Sequence, residues 1–440
     1  MTTRLDPPQP VLDIAAKLER AGYETWCVGG AVRDALLGHP HLDWDLATAA
    51  SPAEVQSLFR RTVPVGIEFG TVGVLDKAGT LHEVTTFRRD VKTDGRHAVV
   101  EFGASLDDDL ARRDFTINAI AWSPSRKELR DPFAGQADLA AGLLRAVGNP
   151  DARMEEDRLR ALRAIRFASR FGFEIEPGTW RAIVGSAPHL GRLSAERVKQ
   201  EIDKTMEQVR TPSRAFALWR DSGAFATLIP ALANVSDADL AALDAAPRPL
   251  GGPRAADRRL TRLALLFLPL RPAEAARTMT ALRFSKLDTG WVAALVERWA
   301  LLGTAMAAEM LAGEPTDVAV RRWVAAAGRT RMRALLRVAA ARWSAAREAG
   351  DIAPEAAALK RLSRRAIAIA FRDPVEISDL AVDGDDLRRA GFVPGPLLGK
   401  MLSGLLDWVL EDPARNVPDR LIARAKELRD APANDQRGSA

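Results

Sequence analysis

The sequence predicts an α/β head built on a mixed sheet, followed by a chain that is helical to its end. Three observations carry that reading. Short runs at residues 24–28, 43–47, 63–65, 71–75, 81–86 and 99–102 have the alternation or apolar character of strands. Helical periodicity is interspersed among them and dominates after about residue 150, with alanine, leucine and arginine prominent. The chain has 440 residues, enough for several domains with sizeable cores.

Each element has a local reason. Residues 11–21 form an amphipathic helix that ends near Gly22. Glu24-Thr25-Trp26-Cys27-Val28 reads as a buried strand. Residues 31–37 form a helix closed by Gly38. Ser51-Pro52-Ala53-Glu54 opens the next helix with a serine cap, a proline at the first helical position and a glutamate three residues after the cap. Neighbouring head strands are expected to pair antiparallel. Residues 245–253, rich in proline and glycine, break the helical region as a linker or loop. A last segment begins at Asp373-Pro374 and carries Gly384, Gly391, Pro394, Gly395, Pro396 and Gly399. The expected boundaries are a head at 1–148, a helical neck at 149–245, a helical body at 246–372 and a helical tail at 373–440.

Composition excludes several classes. The chain is 47% hydrophobic and 28% charged, ordinary for a soluble protein, and no apolar run of membrane-spanning length stands out. The start, Met1 to Pro8, lacks an apolar signal segment and carries Asp6, which argues against a secretory leader. One cysteine, Cys27, excludes an intramolecular disulfide and a cysteine-cluster zinc site. A cytoplasmic protein that meets no membrane and has no obligate protein partner is expected. Net charge is +5 and the pI about 9.6, a modest basic excess compatible with a phosphate backbone but shared by many proteins that bind none. All five histidines lie at or before His189, so the second half cannot house a His-Asp metal phosphohydrolase.

Residues 28–46 carry the strongest chemistry. Val28-Gly29-Gly30-Ala31-Val32-Arg33-Asp34 places a glycine pair at a helix start, where a triphosphate can approach backbone N–H groups. Asp43-Trp44-Asp45 follows. On an extended strand, side chains two apart share a face, so both carboxylates would aim at one point and hold a hard cation such as Mg²⁺. Alone, either pattern is more often a turn or a surface pair. Glu83, on the 81–86 strand, is either a third acid beside that pair or a paired structural acid. Arg112, Arg113, Asp114 and Asn118 fall within seven residues. The arginines suit phosphate and the Asp and Asn suit ribose hydroxyls, while a salt-bridged helix start capped by Asp114 is the alternative. Asp157, Arg160, Arg163 and Arg166 step by three, one polar stripe if the segment is a single helix. That stripe is a nucleotide cradle or a solvated face with Asp–Arg pairs.

Together, in this order, the segments resemble the class II tRNA nucleotidyltransferase and bacterial poly(A) polymerase family, among the DNA-polymerase-beta-like nucleotidyltransferases. Residues 29–45 resemble its metal motif and residues 112–119 its ribose motif. Asp131-Pro132-Phe133-Ala134-Gly135, with Asp138, resembles the hinge motif. Glu156-Asp157 with Arg160 resembles the nucleotide-selecting motif. Leu193-Ser194-Ala195-Glu196-Arg197 resembles the last neck motif, in which Glu196 and Arg197 brace helices. Beyond residue 240 the likeness is weak, with the segment from Leu387 to Gly399 and Asn416 similar to the tail of bacterial members.

The resemblance implies an α/β nucleotidyltransferase head followed by an all-α neck, body and tail. It implies addition of C, C and A to the 3′ end of tRNA from CTP and ATP. Asp43 and Asp45 would hold Mg²⁺ with Glu83 beside them, and Gly29, Gly30 and Arg33 the triphosphate. Arg113, Asp114, Arg163 and Arg166 would meet phosphate or ribose, and Asp157 and Arg160 would read the base. Gly66-Ile67-Glu68-Phe69-Gly70 and the loop over 88–102, with Asp94-Gly95-Arg96-His97 at its tip, are similar to the CCA-adding type. A poly(A) polymerase, an A-only enzyme and an RNA-binding protein on an inactive head are the alternatives. The chemistry of base choice stands beside the likeness. Cytosine and adenine each pair an exocyclic amine with a ring-nitrogen acceptor, matching a carboxylate acceptor and a guanidinium donor, whereas uracil and guanine invert both.

Overall fold

The computed structural model describes residues 5–39, 43–93, 98–246 and 255–430. Its tertiary contacts divide the chain into two units, 1–235 and 236–440. The first unit opens with α1 (Gln9–Arg20), which buries Val11, Ile14, Ala15 and Leu18. Then come β1 (Thr25–Val28), α2 (Gly30–Leu36), β2 (Asp45–Thr48), α3 (Pro52–Leu58), β3 (Thr62–Gly66), β4 (Thr71–Leu75) and β5 (Leu81–Thr86). The head continues with β6 (Arg88–Thr93), β7 (Ala98–Phe102), α4 (Leu106–Ala111), β8 (Ala121–Ser123), β9 (Glu128–Arg130) and α5 (Gly135–Ala141).

Seven strands form one mixed sheet in the order β3-β4-β5-β2-β1-β8-β9. All neighbours run antiparallel except β2 and β5, which are parallel. A core of Trp26, Val28, Ala47, Phe87, Leu106, Leu110, Ala119, Ala121 and Val147 packs around the central strands. The expected start of α3 is present in full: Ser51 accepts from the Glu54 N–H while the Glu54 carboxylate accepts from the Ser51 N–H.

Three local expectations change. The strand expected over 43–47 begins only at Asp45, because β1 ends at Val28, the partner of Asp45, so Asp43 precedes the strand. The stretch 88–102, expected as a flexible loop that ends in a strand at 99–102, contains a hairpin in which β7 keeps that strand and β6 is added against it, with an irregular register between Asp90 and Lys92. Its first strand, Arg88-Arg89-Asp90-Val91-Lys92-Thr93, is too polar to show strand alternation, and cross-strand pairing makes it a strand. The tip, 94–97, lies outside the described residues. The 157–166 stripe also fails to run along one helix: α6 (Pro150–Glu156) stops, Asp157 is extended at φ −148° and ψ 103°, and α7 (Leu159–Phe171) starts afresh. There Asp157 accepts a hydrogen bond from the Leu159 N–H at 3.0 Å, satisfying one of the helix's open donors.

The unit is completed by α8 (Pro177–Ser186), α9 (Ala195–Gln208), α10 (Pro212–Asp221) and a short helix, Ala224–Leu228. Asp138 ties the hinge together, accepting from the Thr116 hydroxyl at 2.6 Å and from Arg145. Asp131 accepts from the N–H groups of Gly135 and Gln136, closing the α5 start.

The second unit is helical throughout its described residues. One helix, Lys286–Ala312, is long and apolar enough by composition to cross a membrane, a run the sequence reading did not single out. It buries Val292, Leu295, Val296, Leu302 and Met306 and packs on helices Ala255–Phe267, Pro272–Ala281 and Met332–Glu348. A core helix of a globular bundle passes the same composition test. Near the end of the unit, Leu380, Val382, Leu387, Phe392, Leu405, Val409, Leu421 and Ala425 form one cluster. Asn416 bridges into it, accepting from the Ala381 N–H and donating to the Asp379 carbonyl.

Gly135 gives the fold a sharp test. A Cβ there would stand 2.2 Å from the Thr116 carbonyl oxygen, a backbone atom fixed by the hinge. Gly135→Ala is expected to destabilise the protein by about 2 kcal/mol, in the range of core overpacking. A urea-unfolding midpoint unchanged from the wild type would show that the hinge yields instead.

Candidate active site

The site is built where β1 turns into α2. Pairing of Val28 with Asp45 brings the start of β2 beside this turn. The parallel register Leu46 to Val84 then sets Glu83 alongside Asp45. Gly29 has φ 76° and ψ −135°, a conformation that favours glycine, and a Cβ on it would lie 3.0 Å from Arg113. Asp43 is exposed, whereas Asp45 and Glu83 are half-buried. Burial pushes the Asp45 carboxyl up to about 7. Glu83 and then Asp43 add to the rise, and Arg113 opposes it. Three acids thus share one neighbourhood with one nearby guanidinium, and a divalent cation would relieve that excess of negative charge. Among the described residues no three ligating side chains gather into a complete cage.

A cavity of about 540 Å³ opens from this point. It is lined by Gly29, Gly30, Arg33, Asp45, Arg113, Asp114, Asp157, Arg160, Arg163 and Arg166, so ten of the twelve sequence-predicted residues meet in one space. Asp43 and Glu83 do not line it. Arg112 and Asn118, read from the sequence as part of the phosphate and ribose motif, line it as well, and so do Phe167, Arg170, Lys204 and Gln208, which the sequence reading did not name as site residues. Arg170 continues the α7 stripe one turn past Arg166, a signal that spacing could have supplied. Lys204 and Gln208 lie on α9 and reach the cavity only through packing of α9 against α7.

Most of the basic lining is braced by carboxylates. Asp109, fully buried, accepts from Arg112 at 2.7 Å and from Arg113 at 3.1 Å. Burial raises the Asp109 carboxyl, but the two guanidinium groups outweigh it and hold the group below its usual range. Arg33 is buried, donates to Asp34 at 2.7 Å and to Asn118 at 2.5 Å, and lies over the rings of Phe167 and Phe171. Asp34 also receives Arg170 at 3.3 Å. Asp114 accepts from Asn118 and, at 2.6 Å, from Arg163. Arg166 is fully buried against Glu201 at 2.6 Å.

The two base-reading candidates do not pair with each other. Asp157 receives Arg197 at 2.7 Å. Arg160 donates to Glu156 at 2.6 Å and to the carbonyls of Arg153 and Arg112. Three of its five N–H donors are therefore taken, which leaves two for a ligand, and Asp157 retains free lone pairs. A preset acceptor and a preset donor flank the same cavity.

Residues 25–145 match the family model for the poly A polymerase head domain, and 172–235 match the one for the probable RNA and SrmB-binding site of polymerase A. Fold and site thus define a nucleotidyltransferase with a head of the poly(A) polymerase type followed by helices. A CCA-adding enzyme from Limosilactobacillus fermentum is 34% identical over 430 residues, 97% of this chain and 98% of the relative. The chain belongs to the CCA-adding enzyme family. Higher identity extends over a shorter stretch: 44% over 233 residues with the CCA-adding enzyme of Geobacillus thermodenitrificans, an alignment spanning 52% of this chain and 57% of that protein. The chain thus spans about half the length of several curated relatives it matches. The crystal structure of the Bacillus stearothermophilus CCA-adding enzyme in complex with CTP is similar over 96% of this chain and 97% of that one, with a TM-score of 0.73 and 32% identity.

Asp114 gives the site an acid-sensitive element. Burial alone would raise its carboxyl, but Arg163 and Asn118 hold it below its usual range. A depressed carboxyl contributes stability that is present above the unfolded pKa of about 3.9 and is lost as pH falls through the folded pKa. Asp114→Asn is expected to lower stability at neutral pH and to flatten the loss on acidification below about pH 4. Parallel acid-limb slopes for variant and wild type in urea unfolding across that range would contradict this.

Proposed function

We propose that this protein adds C, C and A to the 3′ end of tRNA, using CTP and ATP and releasing pyrophosphate. The observation that carries the reading is the single cavity lined both by the Gly29–Gly30 turn with Asp45 and by Asp157 with Arg160. The two groups suit the two halves of one ligand, a triphosphate and a base edge. The sequence relatives are CCA-adding enzymes, and solved neighbours include CCA-adding enzymes in complex with CTP, with ATP and with tRNA.

Nucleotidyltransferases of this family generally use a divalent metal. In our reading it is Mg²⁺, held by Asp43 and Asp45, and it supplies charge neutralisation at the attacking and leaving oxygens. The protein's own groups do the rest. The N–H groups at the start of α2, with Arg33 and Arg113, receive the triphosphate. Asp114, fixed by Arg163, accepts from a ribose hydroxyl. Asp157 accepts from the exocyclic amine of C or A while Arg160 donates to the ring nitrogen. A uracil or guanine would leave both unpaired, a penalty of about 2–4 kcal/mol in a dry site. Head, neck, body and tail divide near residues 148, 245 and 372 in this reading, and the tail grips tRNA by shape and phosphate contacts. The setting is cytoplasmic.

Purified protein incubated with tRNA lacking its 3′ end and one nucleoside triphosphate at a time separates the alternatives. Addition of two C from CTP and then one A from ATP is expected, whereas long A tracts would mean a poly(A) polymerase. Asp43→Ala and Asp45→Ala are each expected to lower both additions below about one percent of wild type, a loss above roughly 3 kcal/mol, with tRNA binding retained. Asp157→Ala or Arg160→Ala is expected to relax the choice of C and A over U and G by about tenfold or more. A uniformly lower rate at unchanged choice would make both residues structural.

A further inference from the structure

Arg166, Arg170 and Lys204 line the same cavity as Asp157. The position of Lys204 follows from the contacts along α7 and α9. Arg197, near the start of α9, holds Asp157 at the base end. Lys204 lies seven residues further along α9, about 10 Å at the helical rise. Arg170, two turns beyond Arg163 on α7, is tied through Asp34 to Arg33 and so to the glycine turn. Lys204 therefore sits at the triphosphate end.

Its partners set it apart. Arg166 has Glu201 and Arg170 has Asp34. Glu201 gives one oxygen to Arg166 at 2.6 Å and the other at 3.4 Å, and Asp203, the next acid on the helix, takes Lys199 at 2.6 Å. Among the described residues no carboxylate stands within ion-pair distance of Lys204. Burial pulls its ammonium below the usual lysine range. Glu201 opposes that, and Arg166 and Arg163 reinforce it. A half-buried cation facing other cations across a cavity marks a place that an anion would fill.

We propose that Lys204, with Gln208 one turn on, binds the terminal phosphate of the incoming nucleotide and holds the pyrophosphate as it leaves. The inference rests on the nucleotidyl-transfer reading. In that step the tRNA 3′-oxygen bonds to the α-phosphorus and its proton passes to water at the acidic end. The bond from the α-phosphorus to the bridging oxygen breaks, and its electron pair stays on pyrophosphate. Lys204 touches the far phosphates and no part of the base, so it acts alike on CTP and ATP.

The test compares CTP, CMP and inorganic pyrophosphate on wild type, Lys204→Met and Lys204→Arg, by calorimetric titration alongside steady-state kinetics. Expected for Lys204→Met is about tenfold weaker binding of CTP and of pyrophosphate, the loss of one charge-assisted contact, with CMP binding unchanged. KM for CTP and ATP rises in parallel, choice against UTP and GTP stays the same, and Lys204→Arg recovers most of the loss. Equal weakening of CTP and CMP would assign Lys204 a structural role and overturn the proposal. So would unchanged affinity for CTP and pyrophosphate. Wild type that binds neither CTP nor ATP would overturn the parent reading as well.

Discussion

Antiparallel pairing of β1 with β2 is the constraint on which the site depends. Val28 is the last residue of β1 and Asp45 the first of β2, and they are register partners. Because that pair closes the strands, the chain beyond Val28 is free to turn through Gly29 into α2, and the chain before Asp45 leaves the sheet with Asp43. Parallel pairing on the other side of β2 then brings Glu83 level with Asp45. A slip by one residue would send Asp45 to the opposite face, and the carboxylates would part. The register is held by Leu46, Ala47 and Val84, all fully buried.

The second organising principle is charge compensation among arginines. The cavity wall carries Arg33, Arg112, Arg113, Arg160, Arg163, Arg166 and Arg170. So many cations in a partly desolvated space would repel one another without acids behind them. Asp34, Asp109, Asp114, Glu156 and Glu201 supply those acids from outside the ligand space or at its edge. Each arginine is thereby oriented before a ligand arrives, which reduces the ordering cost of binding. The seven arginines of this wall are balanced from behind.

Much of this was legible from sequence where chemistry is local. The Gly29–Gly30 turn, the Ser51 capping box and the strands Thr71–Leu75 and Leu81–Thr86 all follow from patterns within a few residues. The polar hairpin strand Arg88–Thr93 did not, because its partner strand and not its own periodicity makes it a strand. The break at Asp157 did not either, since spacing by three reads as one helix unless the carboxylate is seen accepting from the Leu159 N–H.

The sequence by itself determined which residue types are present and which must act locally: a glycine where φ is positive, an acid pair around Trp44, and arginines at helical spacing. Only the tertiary structure decided which of them meet. Arg163 reaches Asp114 across 49 residues, Arg166 reaches Glu201 across 35, and Arg170 reaches Asp34 across 136. No periodicity encodes such pairs. They depend on sheet register and helix packing, which side chains far apart in the chain fix jointly through burial. Lys204 belongs to the same class, an ordinary lysine on an amphipathic helix until α9 packs on α7 and sets it facing a wall of guanidinium groups.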